Sequence, residues 1–364
     1  VGAGGLSLEW APKANAGPPP PRQVRMGKCP SAADEQALRI RLRSSGTAMQ
    51  QRNILVIGGS GFVGRHLVNE LVGRGCRVLA PSRRRDKAKH LILLPTCDVV
   101  EADVHDDATL DRLVAGQHAV VNLVGILHGT EAQFERAHVT LTQRILAACV
   151  KHKVHRYLHM SALGADPGGP SMYQRSKGRA EQAVRESRLS WTIFQPSVIF
   201  GAEDAFLNMF AKLSAISPVL PIGGADVKFQ PVWVGDVARA FANCLDNDAT
   251  AGRTYELCGP KVYTLRELVQ FAATAAGHRR PVIALPDGIA RLQARLMELA
   301  PGEPLLSRDN IDSMKRDNIA SRQPYVPAPE LGIGPSPMEP EASLYLAGLH
   351  PRTRFGGFRA RARR

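Results

Sequence analysis

Tyr173 and Lys177 stand four residues apart in the segment Tyr173-Gln174-Arg175-Ser176-Lys177, a spacing that puts both on one face of a helix. A phenol titrates near pKa ~10 in water, so it exchanges protons poorly at neutral pH unless a neighbouring cation stabilises the phenolate. Lys177 can supply that cation and also reach a cofactor ribose. Ser161 lies twelve residues before Tyr173 and could hydrogen-bond a substrate oxygen on which charge develops during hydride transfer. Ser161, Tyr173 and Lys177 are thus the candidate catalytic set. A Tyr and a Lys at this spacing are otherwise a common solvated helix face, so the reading depends on the elements around them.

Those elements alternate. Ile54–Ile57, Arg77–Ala80, Asp98–Val100, Ala119–Val121, Arg156–His159 and Trp191–Phe194 are short runs rich in β-branched residues, separated by segments of helical period. Strand and helix in alternation predict an α/β fold of the Rossmann type, a doubly wound parallel sheet with a smaller C-terminal substrate-binding lobe. The expected boundaries are a disordered leader over 1–48, an NAD(P)-binding Rossmann domain over 49–200, and a substrate lobe over 201–322. A late strand near 253–258 would return to the sheet, and a Pro-containing, Arg-rich tail would span 323–364, with order fading beyond about Arg322.

The first strand runs into Gly58-Gly59-Ser60-Gly61-Phe62-Val63-Gly64 and then a helical pattern, the setting in which such a turn grips a dinucleotide pyrophosphate. Gly58 permits the turn, Gly61 admits the phosphates, Gly64 lets helix pack on strand, and Phe62 and Val63 open the helix. After the second strand stands Ser82-Arg83-Arg84-Arg85 rather than a carboxylate. Arg83 and Arg84 could pair with a 2′-phosphate, so NADP(H) is favoured, while Asp86 keeps NAD(H) possible. Asp103 and Val104 follow the third strand where an adenine could lie, although Asp103 could equally cap a turn. Asn122 and Gly125 close the fourth strand beside the cofactor, and Pro196 closes the sixth.

The net charge of +14 suggests nucleic acid until it is located. Residues 1–50 carry +4 and residues 352–364 carry six Arg and no acid, leaving +4 for the 301 residues between. The tail, with Phe355 and Phe358, is the candidate contact to an anionic membrane surface or an acidic partner surface. The folded body offers no aromatic stacking platform for nucleic acid. The leader reads either as an over-extended start before Met49 or as a targeting peptide, whose prolines would spoil an amphipathic helix. Six scattered cysteines fit a reducing, cytosol-like compartment, possible also at the inner membrane face, and His152 and His155 lack the further ligands of a metal site. No apolar run reaches the ~18–20 residues of a membrane span.

These motifs resemble the short-chain dehydrogenase/reductase superfamily, in its extended or atypical branch with the NAD-dependent epimerase/dehydratase domain, over about Asn53 to Asn318. Within it, Ser161 to Ala165, Tyr173 to Lys177, Gln195 to Gly201 and Phe229 to Val234 resemble the nucleotide-binding accessory subunit of respiratory complex I and its bacterial relatives. The resemblance implies bound NADP(H) and places Ser161, Tyr173 and Lys177 on the catalytic positions. Many extended members have Arg where this chain has Gln195, which argues against a nucleotide-sugar substrate, and Asn where it has His138, to which no role is assigned. Asp236 reads as a helix cap. Two functions are expected: an NADP-dependent oxidoreductase on an apolar carbonyl or quinone-like molecule, or a non-catalytic nucleotide-binding accessory subunit of an NADH:quinone oxidoreductase assembly.

Overall fold

Ile54, Leu55, Val56 and Ile57 are each at most 1% exposed, as a strand covered on both faces requires. The computed structural model describes residues 52–299, 304 and 306–350. In it β1 (Asn53–Ile57), β2 (Arg77–Ser82), β3 (Cys97–Glu101), β4 (Ala119–Asn122), β5 (Arg156–Met160) and β6 (Ser190–Pro196) run parallel. After β7 (Ile199–Phe200), β8 (Leu220–Gly223), β9 (Lys228–Phe229) and β10 (Val232–Trp233), strand β11 (Arg253–Leu257) returns beside β6. The order of the seven-stranded sheet is β11-β6-β5-β4-β1-β2-β3. The chain reverses direction across the sheet between β1 and β4, the place where α/β folds bind ligands at the strands' carboxyl ends. Strands β12 (Tyr263–Thr264) and β13 (Val282–Leu285) pair with β9 and β8.

Helices α1 (Phe62–Gly73) and α2 (Asp107–Val114) follow β1 and β3. Helix α3 begins at Glu131–Phe134, widens to a π-helical stretch at Glu135–Thr140 and continues through Leu141–Lys151. Helix α4 (Met172–Glu186) follows β5. Helices α5 (Phe206–Ile216), α6 (Val234–Leu245), α7 (Leu265–Ala275), α8 (Asp287–Glu298), α9 (Arg308–Ser313) and α10 (Met338–Leu346) belong to the second half. The sheet buries one core against α1 and α6 and another against α2, α3 and α4. A third core joins α5, α7 and α10.

Two expectations are corrected here. Order does not fade at Arg322: Leu331 enters the core beside α6, and Met338, Ala342 and Leu346 enter the third core, each at most 1% exposed. The prolines of this stretch open elements rather than prevent them, since Pro329 begins a 3-10 turn and Pro337 precedes α10. Asp236 is no cap: Trp233 holds that position, and the Asp236 carboxylate, 1% exposed, accepts from the Ser336 amide at 2.7 Å and from Arg239. The expectations for residues 1–48 and for Arg352 to Arg364 fall outside the described residues.

Candidate active site

The glycine turn is built for close approach. Gly58 has φ +87°, and a Cβ there would lie 3.2 Å from the Leu123 carbonyl carbon. A Cβ on Gly64 would lie 2.2 Å from the Gly58 oxygen, so α1 can rest on the turn only if position 64 is glycine. No side chain caps α1, and its first helical bond runs from Arg65 N–H to the Gly61 carbonyl at 3.0 Å. The amides of Phe62, Val63 and Gly64 thus have no acceptor within the helix and, with the helix dipole, form an anion-binding end. The Phe62 ring turns aside, 3.2 Å from where a Gly201 Cβ would stand.

The other predicted cofactor residues line the same carboxyl edge. Arg83 and Arg84 follow β2 and are exposed, with Ser82 Oγ donating to the Arg84 carbonyl at 2.9 Å. Asp103 follows β3 and accepts from the His105 amide at 3.0 Å, a turn-capping role, while Val104 packs on the core under α2. Asn122 does not offer its side chain to the cleft. Its amide group donates to Thr142 Oγ1 and Tyr157 OH, and its oxygen accepts from the Val124 amide at 3.1 Å. Asn122 therefore shapes the loop that leads to Gly125. A Cβ on Gly125 would lie 3.2 Å from Lys177 Nζ, so this glycine clears the path of the lysine. The buried Pro196 accepts from the Leu163 amide at 2.9 Å and ties the end of β6 to the loop that carries Ser161.

Ser161 is 3% exposed, and its Oγ has no hydrogen-bond partner among the described residues. A buried hydroxyl left open costs free energy and calls for a ligand or water. Lys177 is also 3% exposed, its Nζ donating to the carbonyls of Met160 at 3.1 Å and Val124 at 3.4 Å. It thereby bridges the loops after β4 and β5. Burial lowers Lys177 to about 8, against the raising influence of the Glu181 carboxylate. Burial pushes the Tyr173 phenol up to about 12. In this arrangement the Lys177 ammonium is directed at two carbonyls. The phenol is therefore protonated at neutral pH.

Three partners of this set escape the sequence reading. Asp309, from α9, accepts from the Met172 amide at 2.6 Å and the Tyr173 amide at 3.1 Å, closing the first turn of α4 from another part of the chain. His138 is 1% exposed and held neutral, its pKa lowered to about 2 by burial and then by the Lys177 charge. Its Nε2 accepts from the Ile126 amide at 3.0 Å, which leaves Nδ1 to donate to Ser176 Oγ at 2.8 Å. Ser176 Oγ in turn donates to the Tyr173 carbonyl at 2.9 Å. The π-helical stretch in α3 delivers His138 to this place, as such irregular turns often do at functional sites. Third, Tyr157 and His159 alternate along β5 on the face of Ser161 and bond to each other at 3.1 Å. The polar residues in a central strand were the available signal.

Asp309→Ala is expected to destabilise the fold by about 1–2 kcal/mol, the worth of an N-terminal cap. It should leave dinucleotide affinity unchanged, because Asp309 does not touch the glycine turn. Chemical denaturation and a binding titration on the variant check both; unaltered stability would remove Asp309 as a support of α4.

Residues 58–211 match the family described as NAD(P)H-binding. The chain is 31% identical over 301 residues to the mitochondrial 40 kDa subunit of NADH-ubiquinone oxidoreductase from Neurospora crassa, spanning 82% of this chain and 79% of that protein. The Arabidopsis thaliana NADH dehydrogenase [ubiquinone] 1 alpha subcomplex subunit 9 is 33% identical, over 73% of this chain and 70% of that one. The chain belongs to the family of these subunits. The fold of this chain matches the UDP-glucose 4-epimerase of Thermotoga maritima. The TM-score is 0.61 at 18% identity, over 83% of this chain and 99% of that one. A ceramide reductase of Caulobacter vibrioides is 28% identical over 64% of this chain and 74% of its own length.

Proposed function

We propose that the protein is an NADPH-dependent reductase of a carbonyl on an apolar or quinone-like molecule. The observation that carries this reading is the intact trio: an open Ser161 Oγ, a protonated Tyr173 and a buried Lys177 at the carboxyl edge beside the glycine turn. A bound nicotinamide dinucleotide would supply the hydride. Gly58, Gly61, Phe62, Val63 and Gly64 would hold its pyrophosphate, while Val104 and Gly125 flank its path. Ser161 Oγ donates a hydrogen bond to the carbonyl oxygen, and Tyr173 delivers the proton that the oxygen takes up. Lys177, held on the carbonyls of Met160 and Val124, completes the set. Gln195 donates to Glu181 Oε1 at 2.7 Å, and Glu181 also pairs with Arg185. A neutral, already bonded amide stands where a cation would bind a phosphorylated sugar, which favours an uncharged substrate. The Caulobacter relative, by its name a reductase of ceramide, is consistent with that class. The test is NADPH oxidation against a panel of apolar ketones and quinones; no turnover of any of them overturns the reading.

A second reading is favoured by the relatives above 30% identity, which are named as subunits of NADH-ubiquinone oxidoreductase. In it the dinucleotide stabilises an accessory subunit, and the partner is a respiratory complex. Affinity purification from native membranes decides: copurifying NADH:quinone oxidoreductase subunits support it, and their absence removes it.

Arg83 and Arg84 favour NADPH over NADH in either reading. Arg83→Asp should lose at least about tenfold in NADPH affinity and gain in NADH affinity, since a carboxylate repels the 2′-phosphate and accepts from ribose hydroxyls. Calorimetry with both nucleotides reads the swing, and equal wild-type affinities would defeat the assignment.

A further inference from the structure

Helix α8 carries an apolar face that the other described residues leave exposed. Ile289, Leu292, Leu296 and the following Leu299 are between 54% and 78% exposed, and at 3.6 residues per turn they fall within roughly 80° of arc. Ala290 and Ala294, on the other side, are buried with Ile311. Further exposed apolar residues stand on the elements next to this helix. Leu285 packs with Ala290 and Ala294, so strand alternation puts Ile283, 48% exposed, on the α8 face of β13. Ile216 and Val219, 82% and 36% exposed, stand where the chain enters β8, the partner of β13.

Charge around this surface is one-sided. The two acids of α8, Asp287 and Glu298, lie away from the apolar arc and are paired with Arg291 at 3.0 Å and Arg308 at 2.8 Å. Arg295 borders the arc and is exposed, as are Lys212 and Arg279 near the ends of α5 and β13. The described chain ends at His350, whose ring lies 2.3 Å from where a Gly277 Cβ would be, two residues before Arg279. Six arginines follow it in the sequence without an acid.

We propose that this face, α8 with β13 and the turn into β8, docks on an anionic lipid surface. Leucine and isoleucine side chains enter the acyl boundary, and Arg295, Lys212 and Arg279 meet the headgroups, as in an interfacial amphipathic helix. A second copy of the chain is disfavoured as the occupant, because a two-fold interface would set the same cations against each other. Among the described residues no helix is long and apolar enough to cross a membrane, so the contact is peripheral. The proposal is independent of whether the site above turns over.

Sedimentation with vesicles of phosphatidylcholine and phosphatidylglycerol in equal amounts tests it. The full chain should pellet with them at low salt and hardly at all with phosphatidylcholine alone. The double variant L292D/L296D should lose at least about tenfold in bound fraction, whereas deleting Thr353 to Arg364 should weaken binding only in its salt-sensitive part. A wild type that stays in the supernatant, or a double variant that pellets equally well, overturns the proposal. Light scattering on the same samples covers the rival: a dimer that the double variant dissolves, with vesicle binding unchanged, assigns the face to a second copy and also overturns it. Should the double variant melt early, L296W replaces it. Its added emission should shift to the blue on these vesicles, and an unshifted spectrum counts against lipid contact.

Discussion

Tyr173→Phe is expected to lower carbonyl turnover on the order of 10²–10⁴-fold while dinucleotide affinity stays within about twofold. In the proposed reaction the phenol donates the proton, and the change removes one oxygen while leaving the ring against Phe134 and His138, at centroid distances of 6.3 and 5.7 Å. The backbone bonds to Asp309 and Ser176 involve the main chain of residue 173 and survive the substitution. A steady-state assay beside a nucleotide titration separates the two effects. Full turnover in the variant would take the acid role from Tyr173. A loss of binding as large as the loss of turnover would mean that the ring, rather than its hydroxyl, holds the site together.

Gly64→Ala should be strongly damaging. Its Cβ would sit 2.2 Å from the Gly58 oxygen and 2.6 Å from both Gly59 Cα and Gly59 O. All three are backbone atoms of the turn, so relief requires α1 to move off β1 or the turn to open. Overpacking of this kind costs typically 1–3 kcal/mol or more. Either movement displaces the amides of Phe62 and Val63 from one another, and NADPH affinity is expected to fall at least about 100-fold. Denaturant melts and nucleotide titrations read the two consequences, and a variant that binds normally would show that the phosphates are held elsewhere. Gly73, whose added Cβ would meet nothing within 4 Å, serves as the control.

The inner strands of the main sheet were legible because a strand buried on both faces must be a short apolar, β-branched run. Six of the expected runs lie inside their observed strands, whose ends reach up to two residues further, and the seventh, near 253–258, overruns Leu257 by one. The glycine turn was legible for a local reason, since strand, turn and helix are consecutive. Tyr173 and Lys177 were legible from helical spacing. What failed depended on distant partners. Asp309 meets the start of α4 across 136 positions, and no periodicity relates the two. His138 looked like a lone histidine because Ser176 is 38 residues away. Asp236 was misread for the same reason: its partner Ser336 is 100 residues on. The stretch after Arg322 was misjudged because proline was taken as a breaker, whereas Pro329 and Pro337 start helical turns there.

The clasp of Asp309 on α4 bears on how this protein can be divided. The seven-stranded sheet is complete at Leu257, and the NAD(P)H-binding match ends at residue 211. A fragment cut at either point would contain every glycine of the turn together with Ser161, Tyr173 and Lys177. It would nonetheless present the amides of Met172 and Tyr173 without the carboxylate that occupies them, leaving the positive end of α4 uncompensated beside the phenol. The glycine turn is therefore self-contained in the first half of the chain, and the support of α4 is not. Shuffling the first half onto a foreign second half would carry the motif across and leave behind the residue that steadies it.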